Sequence, residues 1–195
     1  FIALVLIKFE ARTLWKIWFF LSVWFTLAVA FNAFIMQNIA IIIALILAIL
    51  KVFKNNVYIH NFTELFIYGG LAVIFVPILN IFSIIILLIL ISLYDAYAVW
   101  KSKHMIKMAR FQTKLKLFAG VFIPYGNHKT AILGGGDLGF PLLFTGVVFK
   151  TSGWEALFVI AMAAIALWLL LIKSEKNKFY PAMPFIAAGC LVGYG

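Results

Sequence analysis

Residues 81–100 read IFSIIILLILISLYDAYAVW, and Asp95 is the only charged side chain among them. A run of this length and character matches the roughly 20 apolar residues that carry an α-helix across a bilayer core. Backbone in lipid must satisfy its own N–H and C=O groups, so the run predicts a membrane helix and not a strand or loop. A carboxylate in that setting costs about 2.5–3.5 kcal/mol on insertion scales, which marks Asp95 as a residue kept for a purpose.

The rest of the chain repeats the pattern. Eight apolar segments fall at 1–9, 13–34, 35–53, 62–79, 81–100, 131–149, 154–172 and 180–195. Hydrophobic residues make up 66% of the chain and charged residues 11%, and the mean hydropathy is +1.14. A soluble domain of 195 residues has too little interior for that much apolar surface. Continuous runs also exclude a membrane β-barrel, whose strands alternate over about ten residues. The expected fold is therefore all-α: one polytopic transmembrane helix bundle over 1–195, with spans one to four at 1–79 and spans five to eight at 81–195. Pro77 is expected to end or kink span four. Trp15, Trp18, Trp100 and Trp154 are placed as interfacial anchors. Phe1 lies inside an apolar run already under way, so a ninth span before it is expected.

Net charge is +10, but the basic residues sit between apolar runs, where topology explains them without nucleic acid. Of the 16 lysines and arginines, all but Lys150 fall in alternate loops on one side. The positive-inside rule places that side in the cytoplasm, including a basic loop at 101–129. The expected location is a multi-pass position in the cell membrane, with the lipid bilayer as constant partner. A homo-oligomer is left open. The single Cys190 excludes an internal disulfide and a paired-cysteine metal site. His60, His104 and His128 have no helical metal-ligand spacing, so neither a metal nor another cofactor is expected. Ser22, Ser83 and Ser92 lie in apolar runs with no histidine beside them, and are read as bonding back to their own helices. Asn80 is read as a helix cap, and Gly69-Gly70 as a packing notch in span four.

A second embedded carboxylate follows in AILGGGDLGFPLLF, at Asp137. Asp95 stands six residues before Lys101, and Asp137 eight after Lys129. At about 1.5 Å of helical rise per residue, both lie roughly 9–12 Å below the first charge. Two close carboxyls do not both ionise readily and come to share one proton. The ionised partner can take a proton from water while the protonated one donates to a peptide carbonyl or leaving amine. The same pair also suits an ion- or proton-coupled transporter or channel, and depth alone does not choose. Gly134, Gly135 and Gly136 break an apolar helix at a cost in propensity. They free the backbone beside Asp137 to unwind and to admit a second chain, or to pack closely against a neighbouring helix.

These residues resemble a known family. Tyr94-Asp95 in one span, Gly134-Gly135-Gly136-Asp137 in the next, and Pro181-Ala182-Met183 at the start of span eight are similar to the YD, GxGD and PAL elements of presenilins and signal peptide peptidases. They stand in family order, with Met183 in place of leucine, a volume-conserving exchange. Prepilin peptidases also carry a GxGD aspartate, but Leu138-Gly139-Phe140-Pro141 departs from their continuation. The resemblance implies an intramembrane aspartyl endopeptidase that cleaves transmembrane helical peptides, with nine spans and no cofactor. Asp95 and Asp137 would be its catalytic pair. Tyr94, Gly134, Gly135, Gly136, Leu138, Pro181, Ala182 and Met183 would support the site and hold substrate. A cytoplasmic loop between the catalytic spans implies the presenilin orientation. The compact form, without the large hydrophilic loop of animal presenilins, implies a microbial and specifically archaeal homologue.

Overall fold

The computed structural model describes residues 12–54, 56–102, 119–125, 129–173 and 180–195. The apolar run at 1–9, most of the basic loop, and His104 and His128 lie outside them. Seven α-helices and one β-hairpin are described: α1 (Arg12–Asn32), α2 (Gln37–Phe53), α3 (Val57–Phe75), α4 (Ile81–Tyr97), β1 (Gly120–Tyr125), β2 (Lys129–Gly134), α5 (Gly135–Ser152), α6 (Ala156–Lys173) and α7 (Met183–Tyr194). The segments Thr13–Asn32, Val57–Phe75, Ile81–Lys101 and Gly135–Ile172 are long and apolar enough to cross a membrane, and α2 and α7 are shorter apolar helices. Gly135–Ile172 is 38 residues long, nearly twice what one crossing needs. It is divided by a 3₁₀ turn whose Gly153 sits at φ +64°, a conformation that favours glycine. The helices α5 and α6 then pack against each other.

The chain forms two compact units, Phe1–Val73 with Lys107–Gly134, and Ile74–Ile106 with Gly135–Gly195. In the first, α1 packs on α2 through small side chains. Ala40, Ala44 and Ala48 recur every fourth residue and are fully buried, a spacing that lines one helix face. Val23 and Leu27 fill the facing surface, with Phe19, Trp24 and Phe31 around them. Trp24 Nε1 donates across to the Ile41 carbonyl at 3.2 Å. A Cβ on Gly70 would overlap the Thr26 carbonyl, whereas one on Gly69 would meet nothing. The packing notch read from the sequence is thus Gly70 alone.

In the second unit, α4, α5 and α7 pack pairwise, and α6 packs on α5 and most extensively on α7. Gly189 and Gly193 let α7 approach the α6 backbone at Met162 and Phe158, as small residues do between membrane helices. Cys190 is buried there as a small packing residue. Large apolar side chains such as Phe25, Ile42, Phe82, Leu93 and Trp168 face outward, which suits lipid and not water.

Several boundaries differ from the sequence reading. Span four begins at Val57, five residues before its expected start at 62, and its helix ends at Phe75, ahead of Pro77, which has no N–H to offer a continuing helix. The last turn of α4 runs on as a π-helical turn, Ala98–Ser102. Span six was expected from residue 131, but 129–134 form a β-strand and the helix starts at Gly135. An antiparallel hairpin satisfies its own inner backbone groups, with Val121 opposite Leu133 and Ile123 opposite Ala131. The helical rise assumed between Lys129 and Asp137 therefore fails over six residues, and with it the depth figure for Asp137. Asn80 caps α4, its side chain accepting from the Ser83 N–H at 2.8 Å.

Candidate active site

Asp95 lies in the last turn of α4 and is 3% exposed. Helix α7 opens at Met183 after the irregular Tyr180-Pro181-Ala182, and its cap residue Ala182 supplies no side-chain acceptor. The first N–H groups of a helix lack intrahelical partners. Here Asp95 meets that need from another helix: Oδ2 accepts from the Met183 N–H at 3.2 Å. A carboxylate is well suited to a helix N-terminus, where the peptide dipoles leave partial positive charge. Pro184 in the first turn of α7 costs nothing, because its missing N–H falls where no partner is required.

Ser92 stands one turn before Asp95 on the same face. Its hydroxyl bonds the Leu88 carbonyl at 2.7 Å and lies 3.5 Å from the Met183 carbonyl. The first bond is the one read from the sequence. The second approach was not legible, because it depends on α7 returning to α4. Met183 and Pro181 are buried, Ala182 is half-buried, and Tyr94 turns outward.

Asp137 is the third residue of α5 and half-buried. Pro141 sits four residues on, inside the same helix. It has no N–H to give the Asp137 carbonyl, so the first turn of α5 is held by fewer backbone bonds than an ordinary helix start. Gly134 ends β2, and Gly135 and Gly136 begin α5. The chain thus changes from strand to helix within the glycine run. None of the three has a positive φ. A Cβ on Gly136 would touch only the Phe140 ring at 3.8 Å, so that position has room in front of it. Leu138 is half-buried.

The structure therefore joins Asp95 and Met183 directly, and puts Asp137 in the first turn of a helix that packs on both α4 and α7. The sequence reading missed a buried cluster elsewhere. Glu64 is 2% exposed and accepts from Lys51 Nζ at 2.6 Å. Lys51, counted as a loop charge, is a helical residue of α2 with 6% exposure. Its opposite sign and its 13-residue separation from Glu64 were the available signal.

Comparison with known proteins agrees with the family resemblance. The family model for signal-peptide peptidase, presenilin aspartyl protease, matches residues 2–195. A solved structure of a presenilin family intramembrane aspartate protease shares the fold, with a TM-score of 0.72 and 22% identity, covering 99% of this chain and 77% of that one. No curated protein matches the sequence. With its apolar helices, the match makes the chain an integral, multi-pass membrane protein, and it belongs to the signal peptide peptidase and presenilin family of aspartyl proteases.

Proposed function

We propose that Asp95 and Asp137 are the catalytic pair of an intramembrane endopeptidase of the GxGD type, which hydrolyses peptide bonds of transmembrane helices. The observation that carries this reading is the bond from Met183 to Asp95. It ties the Pro181-Ala182-Met183 element to one aspartate, while the glycine run leads straight into the other. One carboxyl, ionised, takes a proton from the attacking water. The other, protonated, donates its proton to the scissile carbonyl oxygen. As the tetrahedral diol collapses, the first gives the proton it took from water to the leaving amine, and a diol hydroxyl returns a proton to the second. No covalent intermediate and no metal are required.

The supporting residues act through backbone. Met183, through its N–H, holds one oxygen of the Asp95 carboxyl. Gly135 and Gly136 present main chain without side chains, so an extended substrate segment can be held by main-chain hydrogen bonds. Leu138, Pro181 and Ala182 shape the surroundings of the pair, while Tyr94, beside Asp95 in the chain, faces outward. The alternate-loop charge pattern supports a cell-membrane protein whose segment between α4 and α5 is cytoplasmic. Removing the buried Lys51 from the count leaves that asymmetry large. The transporter reading has no support from the family match.

The test is cleavage by Asp95→Asn and Asp137→Asn. Each removes one role in the shared-proton chemistry while keeping side-chain volume, so each is expected to abolish turnover. Activity in either above about a tenth of wild type would refute the pair, because general acid–base catalysis contributes roughly 10²–10⁴-fold.

A further inference from the structure

The buried cluster on α2 and α3 has a direction. The Lys51 ammonium has three N–H donors, and three acceptors surround it: Glu64 Oε1 at 2.6 Å, Thr63 Oγ1 at 3.2 Å and His60 Nδ1 at 3.4 Å. The Thr63 hydroxyl hydrogen goes to its own helix, at the Ile59 or His60 carbonyl, so its oxygen accepts from Lys51. With Nδ1 accepting, the His60 proton resides on Nε2, 2.8 Å from the Gly120 carbonyl. A carbonyl can only accept, which fixes the same tautomer independently. Beside it, Asn61 makes a two-way pair with Phe122: its amide nitrogen donates to the carbonyl at 2.7 Å, and its oxygen accepts from the N–H at 2.9 Å. The His60 and Phe122 rings lie 4.7 Å apart.

Gly120 and Phe122 are alternate residues of β1, so these bonds run along one edge of the strand. Val121 and Ile123, which alternate with them, face β2. Pro124 continues the outer edge, where its missing N–H costs no ladder bond. The amide of Asn61 thus stands in for a neighbouring strand, and His60 extends the pairing by one position. An isolated hairpin of two strands is marginal alone. Fastening β1 to α3 anchors it, and β2 with it through the ladder. One peptide bond beyond β2, at Gly134, the chain becomes the helix that carries Asp137.

We propose that His60 and Asn61 are positioning residues for the reaction: His60, held by the Lys51–Glu64 pair, and Asn61 together fix β1, and through β2 they fix the backbone as far as Gly134, from which Gly135-Gly136-Asp137 follows. This rests on the reading of Asp137 as catalytic. Neither side chain touches reacting atoms, so their loss acts on turnover more than on substrate binding.

The experiment uses the full chain in detergent, with a fluorescent transmembrane peptide as substrate and hydrogen–deuterium exchange across 119–134. Asn61→Leu keeps the volume and removes both bonds. It is expected to speed exchange in β1 and to lower kcat by roughly 10–100-fold, the scale on which about 1 Å of misplacement acts, with KM changed little. His60→Leu is expected to act likewise. His60→Gln, whose amide can still donate to Gly120, is expected to restore most of kcat, which also serves if Asn61→Leu does not fold. Faster exchange with unchanged kcat would overturn the positioning role. Unchanged exchange in both leucine variants would overturn the clamp itself. Asp137→Asn run alongside separates the two proposals: if it cleaves like wild type, the reading of the active site has failed, and the exchange data alone decide whether the clamp exists.

Discussion

The Asp95 carboxyl accepts a hydrogen bond from the Met183 backbone N–H at 3.2 Å, and so acts as the N-terminal cap of a helix 88 residues further along the chain. One side chain therefore serves both the fold and, in our proposal, the chemistry. The two roles separate by substitution. Asp95→Asn keeps a side-chain oxygen that can accept from Met183, whereas Asp95→Ala leaves that N–H buried without a partner. An unsatisfied buried donor costs about 1–3 kcal/mol. Thermal unfolding in detergent is expected to give Asp95→Asn near wild-type stability and Asp95→Ala a clear loss, with both inactive. Equal stability of the two would show that the cap contributes nothing.

The Lys51–Glu64 pair predicts a non-additive pattern. Lys51→Met alone leaves the Glu64 carboxylate without its cation in a buried setting, and breaking such pairs costs about 3–5 kcal/mol. Lys51→Met with Glu64→Met removes the charge from both ends and is expected to recover much of that loss. Denaturant unfolding of the singles and the double closes the cycle. Additive losses would mean that the two side chains do not act as a pair.

Two adjacent glycines predict opposite signs. Gly70→Ala drives a methyl into the Thr26 carbonyl on α1, a backbone atom that cannot swing aside. Overpacking of this kind costs about 1–3 kcal/mol. Gly69→Ala meets open space, and alanine in a helix interior is worth roughly 0.5–1 kcal/mol over glycine. Melting temperatures are expected to fall for the first and to hold or rise for the second. The same sign for both would contradict the packing of α1 on α3.

A shared proton predicts a bell-shaped dependence of turnover on pH. At low pH both carboxyls are protonated and no base remains. At high pH both are ionised and no acid remains. The two limbs report the pair and not either residue. Initial rates across a pH series, in a detergent that keeps the protein folded, would decide. A flat profile would exclude the pair as acid and base.

Much of this fold is legible in the sequence for a simple reason. Membrane helices announce themselves by length and hydropathy, and a carboxylate inside one has few ordinary explanations. Asp95 and Asp137 therefore stand out by their apolar surroundings, and Met183 by its place in the motif order. The β-hairpin does not, because Ala131, Ile132 and Leu133 are as apolar as the helix that follows, and composition does not distinguish a short buried strand from a helix start. Lys51 misleads for a related reason: a lysine at the end of an apolar run reads as the first loop charge. Only pairing across two helices shows that it lies inside. The join of Asp95 to Met183 is invisible in the sequence because no local pattern specifies which distant backbone N–H a carboxylate will accept.

The central claim is that Asp137 is half of a hydrolytic pair working within the membrane. The most direct test incubates purified protein with a synthetic transmembrane peptide and locates the products by mass spectrometry, for wild type and Asp137→Ala. Wild-type protein is expected to cleave at a bond within the apolar segment, and the variant not at all. Equal cleavage by both, or cuts confined to the flanking polar residues, would contradict the claim.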